Sequence, residues 1–316
     1  MPLSKPMTFC AIMSAALLVS CSTADSPSND TAIEEQRADM KPKTDLSYGP
    51  HERNTLDLYV PADVTDPPLL VFIHGGQWRR DDKDRLDRFG RIDALMKAGI
   101  AVATINMRYS TDAIWPAQLE DVRAAARFLR EQAADYGYTT DQIAYWGESS
   151  GAHLALMAGL SGAPEFGLSE GGPIAPTAAI VAWFAPSDLT QIAADREADN
   201  VPGGNEEFGQ PTPENRLIGE PVADNLAKAR AASPVDIVQT APPNAPIPPI
   251  LLAHGTQDPV VSPLQSDRLK KVVEARFSGA EITLRKVDGA SHGSEEFADE
   301  IEPAIAFLLR HFKAGG

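Results

Sequence analysis

The sequence predicts one α/β domain with a mainly parallel central sheet flanked by helices. Two observations lead to this prediction. Short apolar runs bounded by glycine, proline or polar residues fit strands that are buried on both faces of a sheet. Between these runs lie stretches with the apolar period of amphipathic helices, and such alternation is typical of parallel strands joined by helical crossovers.

The predicted elements follow in chain order. Leu56, Leu58 and Val60 alternate with polar residues, which predicts a half-exposed strand near the edge of the sheet. Later strands are predicted from apolar runs at 69–73, 100–105, 143–146, 178–184 and 250–253, and from 282–287 before the last helix. The helical periods cover 83–98, 117–136, 150–160, 263–277 and 294–313.

One stretch, 191–232, is too long and too polar for a simple connection between two elements. Glycine and proline interrupt it, and large apolar residues are few. We predict a small insertion above the carboxyl edge of the sheet, where α/β folds bind ligands, rather than a large cap.

Composition and charge exclude one broad class of function. The chain has 316 residues, of which 43% are hydrophobic, so it can bury a full core. Its 28 basic and 44 acidic residues give a formal net charge of −16, and no lysine or arginine run forms a basic stripe. Nucleic-acid binding is therefore not expected, and the overall negative field disfavours polyanionic substrates.

The N-terminal segment differs from the rest of the chain. Lys5 precedes an apolar run at 7–19, and these 13 residues are fewer than the roughly 20 that a membrane-spanning helix needs. The run ends in Leu18-Val19-Ser20-Cys21, which resembles the lipobox of bacterial lipoproteins, in which the cysteine is lipidated and becomes residue one. Ordinary secretion and an uncleaved anchor are the alternatives.

These features divide the chain into a lipoprotein signal peptide at 1–20, a flexible tether at 21–44 and a folded domain at 45–316. The lipid on Cys21 would hold the protein on a membrane of the bacterial cell envelope, and Ser22 favours the outer membrane if the source is Gram-negative. Cys10 is the other cysteine, so no disulfide framework or cysteine metal site is available to the domain.

Two segments match the pattern Gly-x-Ser-x-Gly, in which glycines allow a serine to sit on a tight turn between a strand and a helix. Ser149, at 147–151, follows an apolar run and precedes a helical stretch. Ser169, at 167–171, follows a loop rich in glycine and proline and runs into further breakers. We interpret Ser149 as a nucleophile, with a helix-capping role as the alternative, and Ser169 as a loop residue.

A serine hydroxyl at neutral pH needs a base that takes its proton. In folds with this turn the chain order is serine, acid, histidine. The order excludes the histidines before Ser149 and also His153, one helical turn after it. His292 lies in a loop between the predicted strand at 282–287 and the last helix, and we interpret it as the base, with His254 as the alternative.

The base in turn needs a carboxylate that orients its ring. Asp258 follows the apolar run at 250–253 and precedes Pro259, which fixes the chain as it leaves the strand. Asp188 follows the preceding strand and is the alternative, although it fits a turn residue better. Asp258 is therefore interpreted as the acid of the triad.

A second motif, His-Gly-Gly-Gln-Trp at 74–78, follows the predicted strand at 69–73. Acyl transfer places negative charge on the former carbonyl oxygen, and each backbone N–H aimed at that oxygen is worth about 3–4 kcal/mol. We expect these donors, the oxyanion hole, from Gly75, Gly76 and Gln77, together with the amide of Ser150 after the nucleophile.

Two aromatic residues flank the glycines of this motif. Trp78 is expected either to line the substrate pocket or to pack beneath the loop, and both interpretations stay open. His74 is expected to make structural hydrogen bonds. Trp78 is therefore the only substrate-binding candidate in the motif.

Together and in this order, these motifs resemble the α/β-hydrolase esterases, in particular the feruloyl and acetyl-xylan esterase-like proteins and the hormone-sensitive-lipase-like carboxylesterases. The resemblance extends from about Ser47 to Lys313. It implies an α/β-hydrolase catalytic domain at 45–316 that needs no cofactor and no metal. Gln77 departs from the pattern, because many relatives have a third glycine there. The segments that carry the resemblance are 47–50, 56–61, 74–78, 147–155, 254–258 and 291–293.

The resemblance implies a serine hydrolase of small carboxylic esters. An aryl formamidase, which has a similar His-Gly-Gly-x-Trp motif, is one alternative. A peptidase of the prolyl-oligopeptidase type would need a large additional domain, and a non-catalytic binding module would lack a triad member. Because 191–232 offers little of the apolar lid that long acyl chains need, we expect short acyl groups on a sugar or a small aryl alcohol.

Overall fold

The computed structural model describes residues 42–161, 176–201 and 210–312. Its strands are β1 (Lys43–Ser47), β2 (Thr55–Tyr59), β3 (Pro68–Ile73), β4 (Ala101–Ile105), β5 (Thr139–Glu148), β6 (Thr177–Trp183), β7 (Ile250–Gly255) and β8 (Ile282–Val287). They form one sheet in the order β1-β2-β4-β3-β5-β6-β7-β8. The pairings of β2 with β1 and with β4 are antiparallel and the others are parallel, which confirms the predicted mainly parallel sheet.

Helices flank this sheet. They are α1 (Arg91–Lys97), α2 (Ala117–Tyr136), α3 (Ser150–Ser161), α4 (Ile192–Ala198), α5 (Pro213–Ile218), α6 (Leu226–Ala231), α7 (Pro234–Thr240), α8 (Leu264–Arg276) and α9 (Ile301–His311). Short 3-10 segments lie at Lys83–Gly90, Val222–Asp224 and Glu295–Glu300. The predicted α/β fold, with helices alternating with strands, is therefore confirmed.

Two hydrophobic cores lie on the two faces of the sheet. Successive side chains of a strand point to opposite faces, so Leu69 and Val71 of β3 join the core that contains α2, α3 and α8. Leu70 and Phe72 join the other core, with α1 and α9. A central strand covered on both faces must be apolar throughout, which is why continuous apolar runs predict these strands correctly.

The strand predicted as half-exposed differs from that expectation. The polar residue between Leu56 and Leu58, Asp57, is as buried as they are. Lys83 explains this burial, because its Nζ lies 2.9 Å from Asp57 Oδ2. The neighbouring edge strand β1 begins at Lys43, so folded structure starts two residues before the predicted domain boundary at 45.

The helix predicted at 83–98 is broken in the structure. A 3-10 segment ends where Phe89 adopts a φ of 63°, a left-handed conformation that interrupts the helical hydrogen bonds, and α1 begins at Arg91. The last predicted helix also contains a 3-10 turn, which leads into α9 with no left-handed residue between them. Apolar periodicity locates the buried faces of such segments and does not detect a change of backbone conformation within them.

The predicted insertion at 191–232 contains three short helices, α4, α5 and α6, in its described part. Thr212 caps α5 by accepting a hydrogen bond from the Asn215 amide, and Pro213 occupies the first helical position. Leu217 and Ile218 of α5 are buried, so the insertion packs against the body of the domain.

Several predictions concern residues outside the described ranges. They are the signal peptide at 1–20, the lipidated Cys21, nearly all of the tether at 21–44, and Ser169. Within the described ranges, no helix combines the length and apolar character that crossing a bilayer requires. The same ranges hold no group of three or more histidine, cysteine, aspartate or glutamate side chains arranged to bind a metal ion.

Candidate active site

The turn between β5 and α3 places Ser149 at the carboxyl edge of the sheet. Ser149 has a φ of 52°, a left-handed conformation that costs a non-glycine residue about 1–3 kcal/mol. Its amide donates to the Trp183 carbonyl at 2.9 Å, which links the turn to the end of the neighbouring β6. The strained turn therefore directs the serine hydroxyl away from the strand and toward the cavity that Ser149 lines.

The two glycines of the Gly-x-Ser-x-Gly motif are required by close contacts. A Cβ atom on Gly147 would lie 2.3 Å from the Gly151 carbonyl oxygen, and one on Gly151 would lie 2.1 Å from the Ile73 carbonyl oxygen. Both distances are far below van der Waals contact. The motif is therefore a structural requirement of this turn, which explains why it indicates the position of the serine.

His292 lies beside this serine. Its Nε2 is 2.9 Å from Ser149 Oγ, and its Nδ1 is 2.7 Å from Asp258 Oδ2. In the neutral ring Nδ1–H donates to the carboxylate, which leaves Nε2 free to accept the proton of the serine hydroxyl. The ring packs on Phe184, with the two ring centroids 4.5 Å apart. The structure thus brings together the three residues that the sequence predicts as the triad.

Asp258 is fully buried and extensively hydrogen-bonded. Its Oδ1 accepts hydrogen bonds from the amides of Val260 and Val261, at 2.8 and 2.9 Å. Burial raises the pKa of the Asp258 carboxyl, but hydrogen bonds from His254 and His292 outweigh this effect and hold the pKa below its usual range. Asp258 is therefore ionised at neutral pH and can stabilise a protonated His292.

His254 has a role in the site that the sequence does not predict. The sequence leaves it open as an alternative base, yet its ring is buried and does not reach Ser149. Its Nε2 lies 3.3 Å from Asp258 Oδ2 and 3.0 Å from the Val261 carbonyl, and its Nδ1 lies 2.7 Å from Ser266 Oγ. Both neighbours of Nε2 are acceptors, so Nε2 carries the proton and holds the triad carboxylate in place.

Asp188, the alternative acid, does not reach the triad histidine. Its Oδ1 accepts hydrogen bonds from the amide and the hydroxyl of Thr190, at 3.0 and 2.6 Å. Its Oδ2 lies 3.7 Å from Arg268 Nε. Asp188 is thus a turn residue, as the sequence predicts.

The loop after β3 lies against the nucleophile. Gly75, Gly76 and Gln77 line one cavity together with Ser149 and His292. The Gly76 carbonyl accepts hydrogen bonds from the amides of Arg79 and Arg80, which closes a tight turn. This position suits the predicted oxyanion donors, although their catalytic role stays a prediction.

The remaining predicted donor, Ser150, is the first residue of α3. The first amides of a helix have no carbonyl one turn earlier to bind, so they are available to an anion at the helix start. Gln77, where many relatives have glycine, accommodates the turn with a left-handed φ of 60°. The backbone of the loop therefore forms this turn without a third glycine.

Trp78 packs beneath the loop and does not line the cavity. The residue is 5% exposed, and Nε1 donates to His153 Nδ1 at 3.2 Å. The proposed substrate-binding role of Trp78 therefore does not fit the structure, and the alternative packing interpretation does. His153 Nε2 in turn donates to the Ala232 carbonyl at 2.7 Å, which joins the insertion to α3.

His74 also makes a structural hydrogen bond, with its Nδ1 2.8 Å from the Gly75 carbonyl. Burial lowers the pKa of His74 to about 4, and burial likewise lowers the pKa of His153 to about 4. Each histidine is neutral in the folded protein near pH 5, whereas an unfolded chain protonates it below pH 6.5. The contribution of these two histidines to the free energy of unfolding is therefore fully present above pH 6.5, and it decreases as the pH falls toward 4.

We expect the free energy of unfolding to fall between pH 7 and pH 5, with roughly 1–2 kcal/mol of the loss coming from His153. The His153→Gln variant keeps a side-chain N–H for the Ala232 carbonyl and removes the titrating group. Urea titrations of both proteins at the two pH values should show a smaller loss in the variant. An equal loss in both proteins would contradict the buried, neutral state of His153.

Glu148, directly before the nucleophile, belongs to a buried ion pair. Its Oε1 accepts from Arg91 Nη1 at 2.6 Å, and Arg91 is completely buried. The Arg91 guanidinium lies over the rings of Phe72, Trp146 and Trp183, at 5.0 to 5.9 Å from their centroids. The pair neutralises the glutamate behind the nucleophile, and 57 residues of chain separation leave no sequence signal for it.

The cavity in front of Ser149 has a volume of about 310 Å³. Two of the described residues that line it, Phe184 and Val260, offer large apolar side chains. The other lining side chains are mostly polar or charged, and they include Gln77, Arg80, Asp81 and Arg85. The site can therefore hold a small ester with polar substituents in reach of the serine hydroxyl.

The fold and this arrangement define a class of protein, the α/β-hydrolases with a serine, histidine and aspartate at the carboxyl edge of the sheet. The model of the BD-FAE family matches residues 56–273, which is more than half of the chain. The chain belongs to the BD-FAE family, and the resemblance to α/β-hydrolase esterases is confirmed.

Individual relatives agree with this assignment. The chain is 33% identical over 276 residues to Esterase LipQ of Mycobacterium tuberculosis, and the match covers 85% of this chain and 61% of LipQ. A match to the probable carboxylic ester hydrolase LipM of the same organism is 28% identical and covers 75% of this chain and 54% of LipM. The chain thus spans little more than half the length of these curated relatives.

A solved structure is similar over nearly its whole length. It is a truncated carbohydrate esterase from gut microbiota, with a TM-score of 0.73 and 29% identity. The match covers 85% of this chain and 95% of that one. A bifunctional GH43-CE protein of Bacteroides eggerthii gives a TM-score of 0.72 at 31% identity, over 85% of this chain and 35% of that one.

Proposed function

We propose that this protein hydrolyses carboxylic esters of small alcohols through a covalent acyl-enzyme on Ser149. The observation that carries the proposal is the continuous contact from Ser149 Oγ through the His292 ring to the Asp258 carboxylate, at 2.9 and 2.7 Å. This geometry is the one that activates a serine for attack on a carbonyl.

In the first half of the reaction Ser149 Oγ attacks the ester carbonyl carbon while His292 Nε2 takes the hydroxyl proton. The buried, ionised Asp258 stabilises the imidazolium that forms. Amides of Gly75, Gly76, Gln77 and Ser150 stabilise the oxyanion. His292 then gives the proton to the departing alkoxide, so the alcohol leaves and the acyl group stays on the serine.

In the second half water replaces the alcohol. His292 removes a proton from the water, the resulting hydroxide attacks the acyl carbonyl, and the same amides stabilise the second oxyanion. Collapse of this intermediate returns the proton to Ser149 Oγ and releases the carboxylic acid. Apart from the ester and the water, each step uses only groups of the chain itself.

The substrate that we propose has a short acyl group and a polar alcohol, such as a sugar or a small aryl alcohol. The cavity supports this choice, because its charged and polar lining offers little apolar surface to a long chain, and each buried CH₂ contributes only about 0.8 kcal/mol. The similarity to a gut carbohydrate esterase is consistent with a sugar as the alcohol part of the ester.

A series of p-nitrophenyl esters from C2 to C16 tests the proposed acyl preference. We expect kcat/KM to be highest between acetyl and butyryl, because longer chains would leave apolar surface in water at the cavity mouth. Acetylated xylan and methyl ferulate extend the series to carbohydrate and aryl substrates, and an amide of the same acyl group serves as control. A maximum at C10 or longer would contradict the short-acyl proposal.

We further propose that the protein is a lipoprotein of the bacterial cell envelope, anchored through Cys21. The proposal rests on the lipobox-like Leu18-Val19-Ser20-Cys21 after an apolar run of signal-peptide length. A cysteine with two or three acyl chains would be held stably on the membrane, in contrast to a single chain.

The Cys21→Ser variant tests this proposal, and the chain offers Cys10→Ser as a matched control. We expect Cys21→Ser to lose incorporation of an alkyne-tagged fatty acid and to leave the membrane fraction. Cys10→Ser should keep both, because Cys10 lies inside the predicted signal peptide. If Cys21→Ser is labelled and remains in the membrane fraction to the same extent as the wild type, the anchor is not on this residue.

A further inference from the structure

We propose that the cavity in front of Ser149 selects esters that carry a carboxylate on their acyl or alcohol part, recognised by Arg80 and Arg85. The inference rests on the proposed esterase function and goes beyond it, since it names a charged group of the substrate. Both arginines line the cavity together with Ser149 and His292.

The local charge differs in sign from that of the whole chain. The chain carries a formal charge of −16. Within the cavity Arg80 and Arg85 face the carboxylates of Asp81 and Glu148, and the buried Arg91 already neutralises Glu148. A third guanidinium, that of Arg88, lies beside the rim, because its Nη1 is 3.8 Å from where a Cβ on Gly293 would be. With Arg91 and Arg88 included, four guanidinium groups therefore lie around the nucleophile against three carboxylates, those of Asp81, Glu148 and Asp258.

The arginines also have unused hydrogen-bonding capacity. Arg85 Nε forms a long ion pair with Glu148 Oε2, at 3.6 Å, but it makes no hydrogen bond to any described residue. The Arg80 side chain forms no ion pair among the residues that the structure describes. A guanidinium is planar and presents paired N–H donors, which fit the two oxygens of a carboxylate.

The backbone that carries Arg85 is held in place by Arg91. The Arg91 guanidinium donates to the main-chain carbonyls of Arg85 and Leu86, both at 3.0 Å, and of Arg88, at 3.1 Å. Because Arg91 also pairs with Glu148, the residue before the nucleophile, the arginine-bearing segment has a fixed position relative to Ser149. Such a fixed backbone lowers the cost of binding a charged group at this place.

Two pairs of nearly isosteric esters test the inference. The first pair is 4-acetoxybenzoate and 4-acetoxybenzamide, which differ in the charge of the alcohol part. The second is the mono-4-nitrophenyl ester of adipate and its terminal amide, which differ in the charge of the acyl part. We expect kcat/KM for the carboxylate to exceed that for the amide by about tenfold in at least one pair, a modest factor because both arginines are partly exposed.

The double variant R80Q/R85Q should reduce this ratio to about one. Arg79→Gln is the matched control, because Arg79 neighbours Arg80 in the chain and does not line the cavity, and it should keep the wild-type ratio. A wild-type ratio of one or less in both pairs would overturn the inference. A preference that persists in R80Q/R85Q would overturn the assignment to these arginines.

Failure of the esterase proposal can be distinguished from failure of this inference. Hydrolysis of the neutral amide-bearing esters by the wild type tests the esterase function alone. Calorimetric binding of 4-hydroxybenzoate and of 4-hydroxybenzamide to the wild type needs no turnover. Tighter binding of the carboxylate that R80Q/R85Q abolishes would support the inference even without hydrolysis, and equal binding of both compounds would contradict recognition of a carboxylate on the alcohol part.

Discussion

Replacing Ser149 by alanine is expected to lower kcat for a short acyl ester by about 10⁴ or more, because the variant has no atom that can form the acyl-enzyme. The neighbouring His292 and Asp258 keep their contact in this variant, so binding of substrate should change little. Steady-state hydrolysis of p-nitrophenyl acetate measures the effect.

Ser169→Ala is the control for this experiment, since Ser169 belongs to the other Gly-x-Ser-x-Gly match and precedes no regular helix signal. It should retain wild-type turnover. Turnover of the Ser149→Ala variant at the wild-type rate would refute the nucleophile assignment. The double variant Ser149→Ala with His292→Ala should be no worse than either single one, because members of a catalytic unit do not act additively.

The second large effect is expected from Asp258→Asn, with a loss of about 10³ to 10⁴ in kcat. The amide would remove the negative charge that stabilises protonated His292 and would favour the wrong tautomer of its ring. The substitution would also remove the charge from the contact with His254. Rate measurements should be accompanied by a thermal melt, which separates a catalytic loss from unfolding.

Asp188→Asn is the matched control for the acid, because Asp188 also follows a strand of the same sheet and its carboxylate contacts its own turn and Arg268. We expect a change in kcat of less than about threefold, as for a residue with no contact to the reacting groups. A larger loss in Asp188→Asn than in Asp258→Asn would move the acid to the preceding strand.

Three parallel strands explain why the triad can be predicted from the sequence. Ser149, Asp258 and His292 follow β5, β7 and β8, and parallel strands bring their carboxyl ends to one edge of the sheet. Each residue also carries a local signal, either a glycine motif, a following proline or a loop before a helix. In this sheet β5, β6, β7 and β8 are neighbours, so residues that follow β5, β7 and β8 come together at its carboxyl edge.

Long-range pairs of charged residues lie beyond this kind of reasoning. Lys83 pairs with the buried Asp57, 26 residues away along the chain, and Arg91 pairs with Glu148, 57 residues away. No pattern in the sequence connects the members of either pair. Asp57 therefore looks like a solvent-facing residue of an alternating strand. A buried charge needs a partner, but the chain does not indicate which partner the fold provides.

The insertion contains a signal for the start of a helix, but the composition of the surrounding residues obscures it. Thr212-Pro213-Glu214 is a recognisable helix start, with a capping hydroxyl before a proline at the first position. The glycines and prolines around it make 191–232 resemble an irregular loop. By contrast, the packing of Trp78 on His153 has no local signal, because the two residues meet only once α3 lies under the loop after β3.

Covalent labelling tests the central claim most directly. A p-nitrophenyl alkylphosphonate should release one p-nitrophenolate per chain, abolish hydrolysis of short acyl esters in parallel, and leave its phosphonyl group on Ser149, as intact-mass and peptide mass spectrometry would show. The Ser149→Ala variant should take up no label under the same conditions. A phosphonyl group on another residue, or full activity in protein labelled at Ser149, would contradict the account.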